Sequence, residues 1–249
     1  LNMLSKSQIS FVNALHHKKQ RKEHALFITE GIKSITEFLD SDYTVDTIFC
    51  TSEHFQKFSK ITQKVKLLEV TENELKKISI LTSPQHALAL VQIPKKTHID
   101  AESFKGKFSL VLDGVQDPGN LGTIIRTAEW FGFSAIICSP DTVEAYNPKV
   151  VQATMGSLSR INVYYTDLCA LFDYNKLPVY GALLEGENLY QTSFGKEGFL
   201  VLGNEGKGIS ENVVSKVDHA VTIPRFGNAE SLNVAVSAAI FCSELKRIS

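Results

Sequence analysis

Apolar positions along this chain switch repeatedly between short strand-like runs and the period near 3.6 of one-sided helices. The first hundred residues alternate accordingly. A helix is predicted over Lys6 to Lys19, a strand over Ala25 to Thr29, a helix over Ile32 to Leu39 and a strand over Thr47 to Cys50. A helix around Phe55 follows, then a strand over Lys66 to Val70 and a helix opened by Thr71-Glu72-Asn73-Glu74, which has the spacing of a capping box. An apolar strand, Ala87 to Ile93, closes a small α/β block.

Periodicity stops at Ile93-Pro94-Lys95-Lys96-Thr97-His98, and the polar stretch up to Lys107 reads as a linker. The predicted division is residues 1–96, a linker at 97–107, and a second domain at 108–249. In that second part, aliphatic strands recur at Ser109 to Leu112, Ala135 to Cys138, Val179 to Leu183, Phe199 to Leu202 and Ala220 to Ile223, with helical segments between them. One helix starts at Asn147-Pro148, where Asn suits the N-cap and Pro the first helical position. Near-continuous apolar strands separated by helices imply a mostly parallel sheet covered on both faces.

Composition narrows this picture only slightly. With 43% hydrophobic and 21% charged residues the chain has the balance of a globular protein. It carries no run of membrane-spanning length, and its start has no secretory apolar core, so no membrane partner and a cytoplasmic location are expected. The four cysteines are far apart with no paired metal-ligand spacing, so neither a disulfide framework nor a metal site is expected. Net charge is -1. The basic excess lies in residues 1–100, with 14 Lys+Arg against 11 Asp+Glu, compared with 12 against 16 in the remainder. Its densest run contains Lys18, Lys19, Arg21 and Lys22, either a solvated face or a contact for RNA phosphates.

Ligands of parallel sheets bind beyond the carboxyl ends of strands, which directs attention to three loops. After the first strand of the second domain comes Asp117-Pro118-Gly119-Asn120-Leu121-Gly122-Thr123-Ile124-Ile125-Arg126. Asn120 is expected at the helix N-cap, and Arg126 on the second turn is either half-buried with a partner or aimed into a cleft. The strand ending at Leu202 leads into Gly203-Asn204-Glu205-Gly206-Lys207-Gly208, a flexible turn or a ligand loop. Its glycine order matches neither a dinucleotide fingerprint nor a P-loop. The last strand leads through Ile223-Pro224 to Ser231-Leu232-Asn233, with Ser231 the expected N-cap and Asn233 inside the first turn. Capping explains only one of those two polar residues.

These three segments, in this order across about residues 108–247, resemble the three motifs of the SpoU (TrmH) family of RNA ribose 2'-O-methyltransferases. Arg21, Phe27 and Glu30-Gly31 make the N-terminal block similar to that family's substrate-binding domain, which is like ribosomal protein L30e. The resemblance implies a SPOUT-type α/β domain with a deep trefoil knot, a homodimer packed through the knotted domains, and S-adenosylmethionine as methyl donor. It implies cofactor contacts at Gly203, Ile223 and Leu232, and chemistry at Asn120, Arg126, Glu205, Ser231 and Asn233. Arg126 would act on the 2'-hydroxyl. Since arginine is normally always charged, stabilising the developing alkoxide and a neighbouring phosphate suits it better than acting as base. The RNA implied is ribosomal, 23S, ahead of transfer RNA. A catalytically silent RNA-binding or assembly protein is the competing class, disfavoured by the five intact polar groups. A small-molecule methyltransferase would need a Gly-rich loop after its first strand, which is absent here. Arg225 and Glu230 depart from the family pattern and bear on substrate entry.

Overall fold

Short near-continuous apolar runs become strands, and segments with the 3.6-residue period become helices, in a computed structural model that describes residues 4–61, 65–95, 99 and 101–248. The chain divides into two compact units, Leu1–Lys96 with Glu144–Ser159, and Thr97–Val143 with Arg160–Ser249.

The first unit begins with α1 (Lys6–Ala14), opened by a Ser5/Gln8 capping box that satisfies two end N–H groups. The predicted helix to Lys19 breaks after Ala14, and α2 (Lys18–His24) starts anew. Then follow β1 (Leu26–Glu30), α3 (Ile32–Leu39), β2 (Val45–Cys50), α4 (Ser52–Ile61), β3 (Lys66–Glu69), α5 (Glu72–Ile78) and β4 (Ala87–Gln92). Thr71 and Glu74 form the expected capping box at α5. The sheet order is β1-β4-β2-β3, with β4 antiparallel to both neighbours and β2 parallel to β3. Val12, Leu15, Ile28, Phe49, Leu75 and Leu88 pack into one of its cores.

Arg21 corrects its assignment to the basic RNA face. Its side chain is 2% exposed, because Nη1 donates to the Leu15 and His16 carbonyls at 2.9 and 2.8 Å and Nη2 pairs with Glu144 at 2.7 Å. A guanidinium so occupied joins two chain segments and is not open to a phosphate. Lys18, Lys19 and Lys22 stay exposed. The other residues of the N-terminal resemblance are structural too. Phe27 is fully buried, and Glu30 accepts hydrogen bonds from the Ser79 hydroxyl and from Ile80 N–H at 3.0 Å. Burial pushes the Glu30 carboxyl above its ordinary value, and those two bonds oppose it. Gly31 has φ +91° and faces Gln85 so closely that a Cβ would lie 2.7 Å from its amide oxygen.

The second unit contains β5 (Phe108–Leu112), α6 (Pro118–Trp130) and β6 (Ala135–Cys138). After β6 the chain supplies α7 (Pro148–Thr154), capped by Asn147 as expected. This excursion belongs to the first unit, where α7 packs on β1 and the Tyr146 ring lies 4.8 Å from Phe27. The division into two compact units therefore does not follow sequence order. The second unit resumes with β7 (Asn162–Tyr165), a strand absent from the sequence-based expectation, then α8 (Leu168–Asn175), β8 (Val179–Asn188), β9 (Gly198–Leu202), α9 (Glu211–Val214), β10 (His219–Thr222) and α10 (Val234–Arg247). Its six strands are all parallel in the order β10-β8-β9-β5-β6-β7. Of the predicted linker, residues 97, 98 and 100 lie outside the described residues. Ala101–Phe104 forms a short 3-10 turn whose Phe104 is buried against Phe199, so the unit's core begins before residue 108.

Candidate active site

β5 and β9 lie side by side at the centre of the sheet, yet their connections leave in opposite directions. β5 leads through α6 to β6, whereas β9 leads through α9 to β10 on the far side of β8. Such a reversal opens a crevice at the carboxyl ends of the two strands. All three Gly/Asn-rich segments follow strands whose carboxyl ends lie at this edge.

The first segment is organised by Asp117, not by Asn120 as the sequence suggested. Asp117 is the N-cap of α6, its side chain accepting from Asn120 N–H at 2.8 Å, with Pro118 in the first turn. Asn120 thereby sits one turn inside the helix with its amide free to face the site. The signal was available, since Asp117-Pro118 has the same cap-and-proline pairing as Asn147-Pro148. The third segment also reverses the expectation. Asn233 is the N-cap of α10, accepting from Ala235 N–H at 2.9 Å and Val236 N–H at 3.3 Å, whereas Ser231 is exposed and caps nothing.

Against the first of these helix starts stands Glu205. Its loop is closed by an antiparallel bridge between Asn204 and Gly208, with Asn204 Oδ1 accepting from Gly206 and Lys207 N–H at 2.9 and 3.0 Å. Gly208 has φ +70°, and a Cβ on Gly203 would lie 2.2 Å from Gly208 carbon, so the tight loop requires glycine at both positions. Asn204 Nδ2 also donates to Gly114 O at 2.7 Å, and the buried Asp113 carboxylate accepts from Ser210 N–H at 2.7 Å. These two residues, passed over in the sequence, tie the loop after β9 to the loop after β5.

The Glu205 carboxylate accepts from Asn120 Nδ2 at 3.1 Å and from the backbone N–H groups of Asp117 and Gln116 at 3.2 and 3.4 Å. It stands at the amino end of α6, where backbone dipoles favour an anion. Burial by itself raises the Glu205 carboxyl, but the Asn120 amide and the backbone N–H groups of Glu205, Asp117 and Gln116 outweigh it and hold the carboxyl below its ordinary value. Amide orientation follows from this. A carboxylate only accepts, so Asn120 turns its NH2 to Glu205 and its carbonyl to Asn233 Nδ2, 2.9 Å away. The Asn233 carbonyl is already taken by the α10 cap. The polar chain Glu205–Asn120–Asn233 thus has one consistent direction and links all three segments.

Arg126 projects from α6 exposed, with no hydrogen bond or ion pair among the described residues. It is neither half-buried with a partner nor drawn into the polar chain. Ile223 is half-buried and Leu232 is 49% exposed, so neither apolar side chain is consumed by the core. Among the described residues, 226–228 and 230–232 make no hydrogen bond, which leaves their backbone groups available to a ligand. A cleft of about 560 Å³ lined by Asp173, Lys216 and His219 lies at the amino ends of β8 and β10, the wrong end of the sheet for this site.

Comparison with known proteins identifies the family. Residues 107–243 match the SpoU rRNA Methylase family, and residues 6–89 match the MRM3-like substrate binding domain. The 23S rRNA (guanosine(2553)-2'-O)-methyltransferase RlmP of Bacillus subtilis is 34% identical over 93% of each chain. A TrmH-family structure from Porphyromonas gingivalis is 37% identical, covers 99% of this chain and 100% of its own, and superposes with a TM-score of 0.86. The AdoMet-bound rRNA methyltransferase of Sinorhizobium meliloti is 27% identical, covers 100% of this chain and 97% of its own, and superposes with a TM-score of 0.88. By motif, by full-length similarity and by fold, the chain belongs to the SpoU rRNA methylase family.

Proposed function

We propose that the chain methylates a ribose 2'-hydroxyl of 23S ribosomal RNA with S-adenosylmethionine as donor, a guanosine being the nucleotide expected from the RlmP relative. The observation that carries this is the directed polar chain Glu205–Asn120–Asn233 at the switch point of the sheet. The cofactor supplies an activated methyl group on a sulfonium centre. The residues present fit it: Ile223 and Leu232 offer apolar surface left open by the core, and the backbone groups of 226–228 and 230–232 can read a purine edge. Gly203 lets the loop after β9 close tightly at the strand end.

Arg126 is the only cation on the exposed face of α6, and no carboxylate among the described residues pairs with it. In this role it stabilises charge developing on the 2'-oxygen and pairs with the adjacent phosphate. Asn120 and Glu205 hold the start of α6, and Asn233 holds the start of α10, so the apparatus is set before RNA arrives. Ser231, exposed and uncommitted, is available to the nucleotide.

Three further features complete the reading. The second unit carries the trefoil knot of its family. Two copies associate through α6 and α10, which pack together yet leave Trp130 82% and Val236 48% exposed, an apolar surface suited to self-association. The first unit, organised as the L30e-like substrate-binding domain, offers Lys18, Lys19 and Lys22 to RNA phosphates. A cytoplasmic location goes with a ribosomal substrate, and among the described residues no helix is long and apolar enough to cross a membrane.

Arg126→Ala is expected to abolish methyl transfer to 23S RNA while calorimetric cofactor binding persists. Near-normal turnover would remove Arg126 from the chemistry. Mapping ribose methylation in cells with and without the gene identifies the nucleotide, and a change confined to transfer RNA would redirect the substrate assignment.

A further inference from the structure

Away from the methyl-transfer residues, the first unit gathers three metal-binding side chains at one end of its sheet. β2 and β4 are antiparallel neighbours with Cys50 opposite Ala87, so the residues just after Cys50 and just before Ala87 meet. Thr51 N–H donates to the His86 carbonyl at 3.0 Å, closing the two strands at that point. Glu53 and His54 follow in the first turn of α4. One donor atom from each of Glu53, His54 and His86 lies within 4.8 Å of the other two.

The two imidazoles have centroids 5.2 Å apart and planes tilted by 58°, so they converge without stacking. An ion with nitrogen and oxygen ligands at about 2.1 Å holds them about 3.4 Å apart in tetrahedral geometry. Glu53 and His86 are exposed and His54 half-buried, so rotamer changes bring the three donors to that separation. His86 also has φ 61°, a left-handed conformation uncommon outside glycine.

A second observation comes from Thr51. It is 8% exposed, and its hydroxyl has no hydrogen-bond partner among the described residues. It stands just before α4, where a threonine hydroxyl would ordinarily cap the helix. Instead Thr51 lines, together with His86 and Glu72, a cleft of about 250 Å³. A buried hydroxyl left without a partner calls for a ligand or water in that cleft.

We infer that Glu53, His54 and His86 bind one divalent transition-metal ion, with the Thr51 hydroxyl available to a water the ion carries. Two imidazoles and a carboxylate select zinc, cobalt, nickel or copper over magnesium and calcium, which prefer all-oxygen sites. The ion would clasp the start of α4 to the turn before β4 and so stabilise the first unit by binding only its folded form.

The test is calorimetric titration of the untagged, chelator-treated full chain with Zn2+, paired with absorption spectra of the Co2+ form. One ion per chain is expected, with a Co2+ spectrum free of the thiolate charge-transfer band that Cys169 would contribute. His54→Ala/His86→Ala should weaken binding more than about ten-fold, Glu53→Gln should weaken it measurably, and Cys169→Ser should leave it unchanged. Far-UV circular dichroism checks that each variant is folded. Absence of saturable binding, unchanged binding in the folded double variant, or loss of binding in Cys169→Ser would each overturn the inference.

Discussion

Glu205 illustrates how a single exposed carboxylate is given a fixed task. Three donors from the α6 start converge on it, and they hold its carboxyl below the ordinary glutamate value. The sign of the resulting pH dependence follows. A depressed folded value means that the carboxylate's stabilising contribution is present above the unfolded value and is lost as pH falls through the folded one. Activity is therefore expected to carry no glutamate inflection across neutral pH, and to fall on the acid side only below the ordinary carboxylate range. An inflection near neutrality that disappears in Glu205→Gln would contradict this. Asn120→Asp is the sharper probe. It replaces the NH2 that donates to Glu205 with a second carboxylate, so methyl transfer should fall by about a hundred-fold or more. Cofactor affinity, read by calorimetry, should change far less.

At the scale of elements, the two helices that flank the site start on side chains with different duties. Asn233 both caps α10 and donates to Asn120, so Asn233→Ala removes a cap worth about 1 kcal/mol and breaks the polar chain. Ser231→Ala removes no cap, and denaturant unfolding should show stability within about 0.5 kcal/mol of the parent. Equal destabilisation by the two substitutions would mean that the cap is shared. The sequence placed Ser231 at the cap and Asn233 inside the first turn. Which of them caps depends on where the loop from β10 releases the chain into the helix, and that is decided by packing of α10 on α6. Asp117 was legible through its proline neighbour, whereas Asn204 and Asp113 were not. Their partners, Gly114 and Ser210, are about 90 residues or more distant in sequence, and no local pattern records such pairs.

For the whole molecule, the basic run at residues 18–22 separates into two populations. Replacing Lys18, Lys19 and Lys22 with Ser should weaken RNA binding and lower its salt slope by up to about 3, near one unit per phosphate contact. Folding stability should be untouched. Arg21→Ala should do the reverse, costing about 3 kcal/mol in denaturant unfolding, because it leaves Glu144 and two backbone carbonyls without their buried partner. An unaltered salt slope in the lysine variant would leave that face merely solvated.

Sequence alone determined the alternation of strands and helices, the parallel sheet, and the three strand-end segments that mark the family. These rest on local periodicity, glycine demand and motif order, all of which are written along the chain. Tertiary structure alone decided that residues 144–159 join the first unit, that Arg21 is a buried tie, that Asn120 bonds both Glu205 and Asn233, and that Glu53, His54 and His86 meet. Each depends on contacts between residues far apart in sequence, whose partners are chosen by burial and sheet order. Local pattern carries no information about that choice.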